Sequence, residues 1–281
     1  MALIKKPVTG MKDIMPEEME IRDYAISVIK KTYADFGFSS IETPCVENIA
    51  NLTSKQGGDN EKLIFKILKR GEKLKLESAK SEEDLVDGGL RYDLTVPLVR
   101  YYANHANDLP IPFKALQMGN VWRADRPQKG RYRQLLQCDI DIIGEETNLA
   151  EIELILATTT TLGRLGFKGF QIRINDRRIL AAMAAACGFP EERFGEVFII
   201  LDKMDKIGLE GVEQELKASA YDEEGIRKYL ELFKDKDDTQ EGIRRIGDLL
   251  GDNVPEGVTD DLIEIFSAVN EIKSGDFRLT T

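Results

Sequence analysis

Between Gly119 and Gly144 the chain reads GNVWRADRPQKGRYRQLLQCDIDIIG. Arg123, Arg126, Lys129, Arg131 and Arg133 share this stretch with Asp125, while Pro127 blocks helix and Gly130 frees a turn. Guanidinium groups clustered on a turn suit a polyanion, because the planar fork of arginine matches phosphate oxygens two at a time. The plain alternative is a solvated charged loop. The residues that follow weigh against it. Gln137, Asp139 and Asp141 recur at a spacing of two, and the period of a strand puts all three on one face, a floor of hydrogen-bonding groups beneath the cationic loop.

A hairpin is the element that would position this set. Val121 and Trp122 read as its first arm, and Tyr132 to Ile143 alternate and then run apolar as a half-buried second arm. Upstream, Pro16 and Glu17 open a helix to about Phe36, with Ile21, Tyr24, Ala25, Val28, Ile29, Tyr33 and Phe36 on one face as a core stripe. Gly37 stops it, and Phe38 to Thr43 read as a strand ended by Pro44. Residues 59–76 suggest a strand pair turning at Arg70-Gly71, and ESAKSEEDLVDGG reads as a surface loop. Leu90 to Asp93 return as a short strand and Leu94 to Ala103 as a helix, which Asp93 can cap with Pro97 in its first turn.

After the hairpin, Leu149 to Leu165 read as a helix despite the β-branched run Thr158 to Thr161, and Phe170 to Ile174 as a strand. From Asp176 onward the apolar spacing predicts helices over 179–186, 193–201, 212–216, 226–233, 243–249 and 262–272, with Val197 to Leu201 as the one stretch that also fits a strand. A domain boundary is therefore placed near Asn175, giving residues 1–175 and 176–281.

At 281 residues the chain can bury a large core. The net charge of −11 argues against a general nucleic-acid coat, whose usual footprint is basic, but an acidic body with one basic loop draws phosphate to one place. Cys45, Cys138 and Cys187 are odd in number and lack CxxC pairing, which disfavours a disulfide framework or a zinc site. With His105 as the sole histidine, no His-based metal cluster or Ser-His-Asp triad is expected. No apolar run approaches the roughly 18 residues of a membrane span, and MALIKKPVTGMKD lacks a signal-peptide core, so a cytoplasmic protein with no membrane association is expected.

The string RADRPQKGRYRQLLQCDID resembles the motif 2 loop of class II aminoacyl-tRNA synthetases, specifically that of the histidyl-tRNA synthetase family. GFSSIETPCVE resembles motif 1, which in that class builds a dimer interface, and LRYDLTVPLVRY resembles a histidyl-tRNA synthetase signature. The resemblance implies an α+β fold: a class II antiparallel sheet with flanking helices in residues 1–175, incomplete, followed by a mainly helical insertion domain in 176–281 that lies near the tRNA acceptor stem. It implies a two-step reaction in which the histidine carboxylate attacks the α-phosphate of ATP, held as its Mg2+ complex, and a terminal hydroxyl of tRNA(His) then takes the aminoacyl group. Histidine, ATP, tRNA(His) and a second copy joined through motif 1 are the implied partners.

By the same resemblance Arg123 is the catalytic residue, holding the α-phosphate and the substrate carboxylate. Asp125 and Arg131 contact the nucleotide through adenine and the outer phosphates, respectively. Asp93, Thr95 and Gln137 bind the α-ammonium of histidine, and Asp141 lies beneath its imidazole. The chain departs from the family in three ways. Asp93 and Asp141 stand where glutamate is common, and Leu135 where an aromatic residue usually stacks on adenine. The Arg-Gly-Leu-Asp-Tyr-Tyr run, the motif 3 arginine and the anticodon-binding domain do not occur, so an N-terminal, inactive portion of a synthetase is expected. The rival implied by resemblance is a non-catalytic synthetase paralogue that regulates histidine biosynthesis.

Overall fold

The computed structural model describes residues 3–53, 62–233 and 239–280. Two compact units divide at Glu146/Thr147. The boundary expected near Asn175 falls inside the second, because the helix and strand that precede it pair with the end of the chain.

The first unit contains α1 (Pro16–Asp35), β1 (Ser39–Ile41), β2 (Val46–Asn48), α2 (Ile49–Leu52), β3 (Lys66–Leu68), β4 (Val86–Leu90), α3 (Thr95–His105), β5 (Phe113–Trp122) and β6 (Gln134–Ile143). Among these, β1, β5 and β6 form one sheet in that order, with β1 parallel to β5 and β6 antiparallel to it. The second sheet, β2-β4-β3, is antiparallel. Hydrogen bonds at Arg91 connect the sheets: its N–H donates to Cys45 O at 3.0 Å and its carbonyl accepts Trp122 N–H at 2.9 Å. The strand expected over Leu90 to Asp93 is thus the tail of β4 plus this link.

Three local expectations change here. The part of the proposed 59–76 strand pair up to Glu61 lies outside the described residues, and Gly71–Lys73 is a short 3-10 turn, not a hairpin. β3 pairs instead with β4, which occupies the end of the stretch read as loop. Gly88 and Gly89 end that stretch as strand residues, and the lack of a Cβ at Gly89 serves packing: one there would stand 2.8 Å from Leu52 and 2.9 Å from Ile64. In α1 the expected core stripe is only partly buried. Of the stripe only Tyr33 is fully buried, joined in the helix by Thr32, while Ile21 and Tyr24 are 71% and 61% exposed.

The second unit contains α4 (Leu149–Arg164), β7 (Phe170–Arg173), α5 (Arg177–Ala186), α6 (Phe194–Leu201), α7 (Met204–Ala218), α8 (Glu223–Glu231), α9 (Gln240–Leu250), α10 (Val258–Ile272) and β8 (Phe277–Thr280). The threonine run in α4 is held by packing and by back-bonding: the buried Thr159 and Thr161 hydroxyls donate to Ile155 O and Ala157 O, both at 2.8 Å. Val197 to Leu201 are helical. Apart from that stretch no strand was expected after Ile174, yet β8 pairs with β7 in parallel, from Phe170↔Phe277 to Arg173↔Thr280. FRLT is too short to declare itself and becomes a strand only beside its partner. Residues 176–272 thus leave from one strand and return to its neighbour, as an insertion does. Their core gathers Val197, Val212, Leu216, Ile226, Tyr229 and Val258, each at most 1% exposed.

Candidate functional site

The β5–β6 hairpin brings the candidates together. Its register pairs Gly119 with Gln137, Gln117 with Asp139 and Ala115 with Asp141. Paired residues share a face, so the floor expected from the spacing of two forms on β6. Arg123 follows β5 directly. Its Nε donates to Tyr92 O at 2.9 Å and Nη2 to Gln137 Oε1 at 3.3 Å. Gln137 Nε2 in turn donates to Asp139 Oδ2 at 2.9 Å. Asp93 enters from the start of α3, where its carboxylate accepts Val96 N–H at 3.1 Å. Thr95 is beside it but exposed, with no side-chain hydrogen bond among the described residues.

Electrostatics tie the acids into one group. Burial raises Asp93 above the usual carboxylate value; the Val96 N–H opposes the rise, Asp139 adds to it and Arg123 offsets it. Burial also raises Asp141, with repulsion from Asp139 and Asp93 adding to it. Asp141 Oδ2 is buried and accepts no hydrogen bond among the described residues. The cluster therefore holds three carboxylates against one guanidinium and has an acceptor to spare. Asp139, noted for its spacing but given no role from the sequence, sits at its centre.

These shifts fix a sign. Acids raised in the fold bind protons more tightly there than in the unfolded chain. Their contribution to stability is greatest below the ordinary carboxylate value and declines as pH rises through it toward the raised folded values. Asp141→Asn should thus raise the unfolding midpoint of the ligand-free protein at neutral pH, and the gain should shrink on acidification. Denaturation followed from pH 7 into the carboxylate range checks this; a gain independent of pH would assign the orphaned oxygen no electrostatic cost.

The loop above is built from its own cations. Arg131 Nη2 lies 3.2 Å from Asp125 Oδ1, and Arg131 N–H donates to Gln128 O at 2.9 Å across the turn at Gly130, whose φ is +81°. Arg133 Nε donates to Asp125 O at 2.9 Å and its backbone N–H to Gly10 O at 2.7 Å. Arg126 and Lys129 project into solvent. Residues 1–175 contain 25 acidic and 25 basic residues, whereas 176–281 contain 25 and 14, so the basic loop rises from an electroneutral body and the acidity belongs to the helices. No helix among the described residues is long and apolar enough to cross a membrane, and no cluster of metal-ligating residues occurs among them.

A family profile described as histidyl-tRNA synthetase matches residues 10–280. The chain belongs to the histidyl-tRNA synthetase family. The histidine–tRNA ligase of Leifsonia xyli is 51% identical over 221 residues, which are 77% of this chain and 51% of that protein. That of Christiangramia forsetii is 39% identical over 233 residues, 80% of this chain and 51% of the relative. The chain thus spans about half the length of the curated relatives it matches. The crystal structure of histidyl-tRNA synthetase from Nostoc sp. PCC 7120 aligns over 99% of this chain and 61% of its own, with TM-score 0.82 and 25% identity. An ATP phosphoribosyltransferase regulatory subunit/histidyl-tRNA synthetase from Bacillus halodurans shares the fold, at TM-score 0.79 and 18% identity. The α+β architecture is accordingly that of the class II synthetases.

Proposed function

We propose that this chain supplies the motif 2 side of a site that activates histidine with ATP and passes it to tRNA(His) in the cytoplasm. The observation that carries the reading is the orphaned Asp141 Oδ2 within a group of three carboxylates next to Arg123. Spare buried acceptors call for a ligand rich in N–H donors, and histidine offers an α-ammonium and an imidazole. In this reading Asp93, Thr95 and Gln137 take the ammonium and Asp141 the ring. Arg123 bridges the histidine carboxylate and the α-phosphate, and Asp125 and Arg131 hold the rest of the Mg2+·ATP substrate.

The chemistry needs no strong base, since a carboxylate is already nucleophilic at neutral pH. It needs two anions held together and the charge on phosphorus stabilised as the bond to pyrophosphate breaks, which positioned guanidinium groups provide. Exchange of pyrophosphate into ATP by an enzyme of full family length carrying these residues, assayed with each amino acid in turn, tests the reading. Histidine alone should support exchange; exchange with another amino acid, or with none, refutes it. Histidine binding without exchange would favour the regulatory reading, against which the basic loop and acceptor cluster stand together.

Residues 1–281 alone are proposed to form no adenylate, because groups that act as one unit are lost together when part of the unit is missing. Turnover above background by this chain would contradict that. The exposed Ile21 and Tyr24, one turn apart on α1, support a homodimer through the motif 1 region. Tyr24→Lys should shift the protein toward monomer in sedimentation experiments, and an unchanged profile would place any interface elsewhere.

A further inference from the structure

Arg91 is 4% exposed and makes no ion pair among the described residues. A guanidinium in that position must be satisfied by neutral acceptors. Its Nε donates to Asn120 O at 2.9 Å, and Nη1 donates to both Thr43 O at 2.7 Å and the Thr43 hydroxyl at 3.1 Å. That hydroxyl donates onward to Gln117 Oε1 at 3.3 Å, and Gln117 Nε2 donates to Leu94 O at 3.1 Å. Thr43 and Gln117 are 3% and 2% exposed. The guanidinium crosses β5 over Gly119, where any Cβ would overlap it. Gly119 stands opposite Gln137 in the ladder, and Gln117 opposite Asp139. The segment that presents Asp93 is thus tied to β5 at both ends, by the Arg91 side chain on Asn120 O and by the Leu94 carbonyl on Gln117.

We infer that Arg91, Thr43 and Gln117 are positioning residues that set Asp93 above Gln137, Asp139 and Asp141, so that recognition of the ammonium-bearing substrate depends on side chains that never touch it. This rests on the reading of the pocket given above. Carboxylates on one strand and at a helix start select a donor pattern only if their spacing is fixed, and a buried, hydrogen-bonded frame fixes it.

Thr43→Val keeps the shape and removes the hydroxyl that joins Arg91 to Gln117. In an enzyme of full family length it should raise the KM for histidine about tenfold, the scale of one charge-assisted hydrogen bond. The KM for ATP should stay within about twofold, a small fraction of that energy. Thr43→Ser should restore the wild-type values. A lower melting temperature with both KM values unchanged, or both raised alike, would make the frame merely structural and overturn the inference. The crossing over Gly119 is read without ligand by a denaturant double-mutant cycle: Gly119→Ala should cost more stability beside Arg91 than beside Arg91→Lys, whose slimmer side chain clears the methyl. Additive penalties would overturn the crossing. Wild-type enzyme that shows no histidine dependence would refute the pocket reading, while the cycle still decides the frame.

Discussion

Arg123→Ala should lower histidine-dependent pyrophosphate exchange by at least about a thousandfold, the upper range for loss of one preorganised charge-stabilising group. The side chain is anchored at Nε by Tyr92 O and at Nη2 by Gln137, and its backbone N–H donates to Arg133 O at 2.9 Å. Nη1 makes no hydrogen bond among the described residues, which leaves part of the fork to a ligand on an anchored base. A group held this way costs no reorganisation when charge builds on phosphorus. Lysine should recover little, because a point charge cannot hold Tyr92 O and Gln137 while also bridging two anions. Circular dichroism should show an intact fold, since neither anchor lies in the hydrophobic core. Exchange within about tenfold of wild type, roughly 1.4 kcal/mol of barrier, would remove Arg123 from the chemistry.

Asp141→Asn should raise the KM for histidine about a hundredfold, the loss expected for a hydrogen bond to a charged group whose partner is left buried. The KM for ATP should move far less. Asparagine keeps the volume but replaces one acceptor by a donor aimed at an N–H group, so the penalty contains a repulsion as well as a loss. The same change should stabilise the ligand-free protein at neutral pH, which separates a binding role from a folding role: one variant, weaker binding and a firmer fold. Steady-state kinetics with each substrate varied in turn decides this, and an equal rise in both KM values would assign Asp141 to structure.

What was legible in the sequence was whatever depends on local period and turn chemistry. The spacing of Gln137, Asp139 and Asp141 places them on one face, because strand geometry admits no other arrangement. Gly130 and Pro127 marked the turn, and Asp93 the start of α3. The helices after Asp176 followed from apolar spacing.

Tertiary structure decided what depends on distant partners. Gly89 stands in a strand where Leu52 and Ile64 fill the space a side chain would take, and FRLT is a strand because β7 lies beside it. Ile21 and Tyr24 share the helical period of the core stripe but nothing in the described chain covers them. Asp139 gained its place from the carboxylates on either side, not from its spacing alone. Arg91 carries no local signal at all: its meaning lies in Thr43, Asn120 and Gly119, residues 48, 29 and 28 positions away. Sequence period fixes the face on which a side chain stands, since that is set by bonds to its neighbours. Which buried acceptors and charges meet is set by long-range packing, and only the folded chain brings those groups within a hydrogen bond of one another.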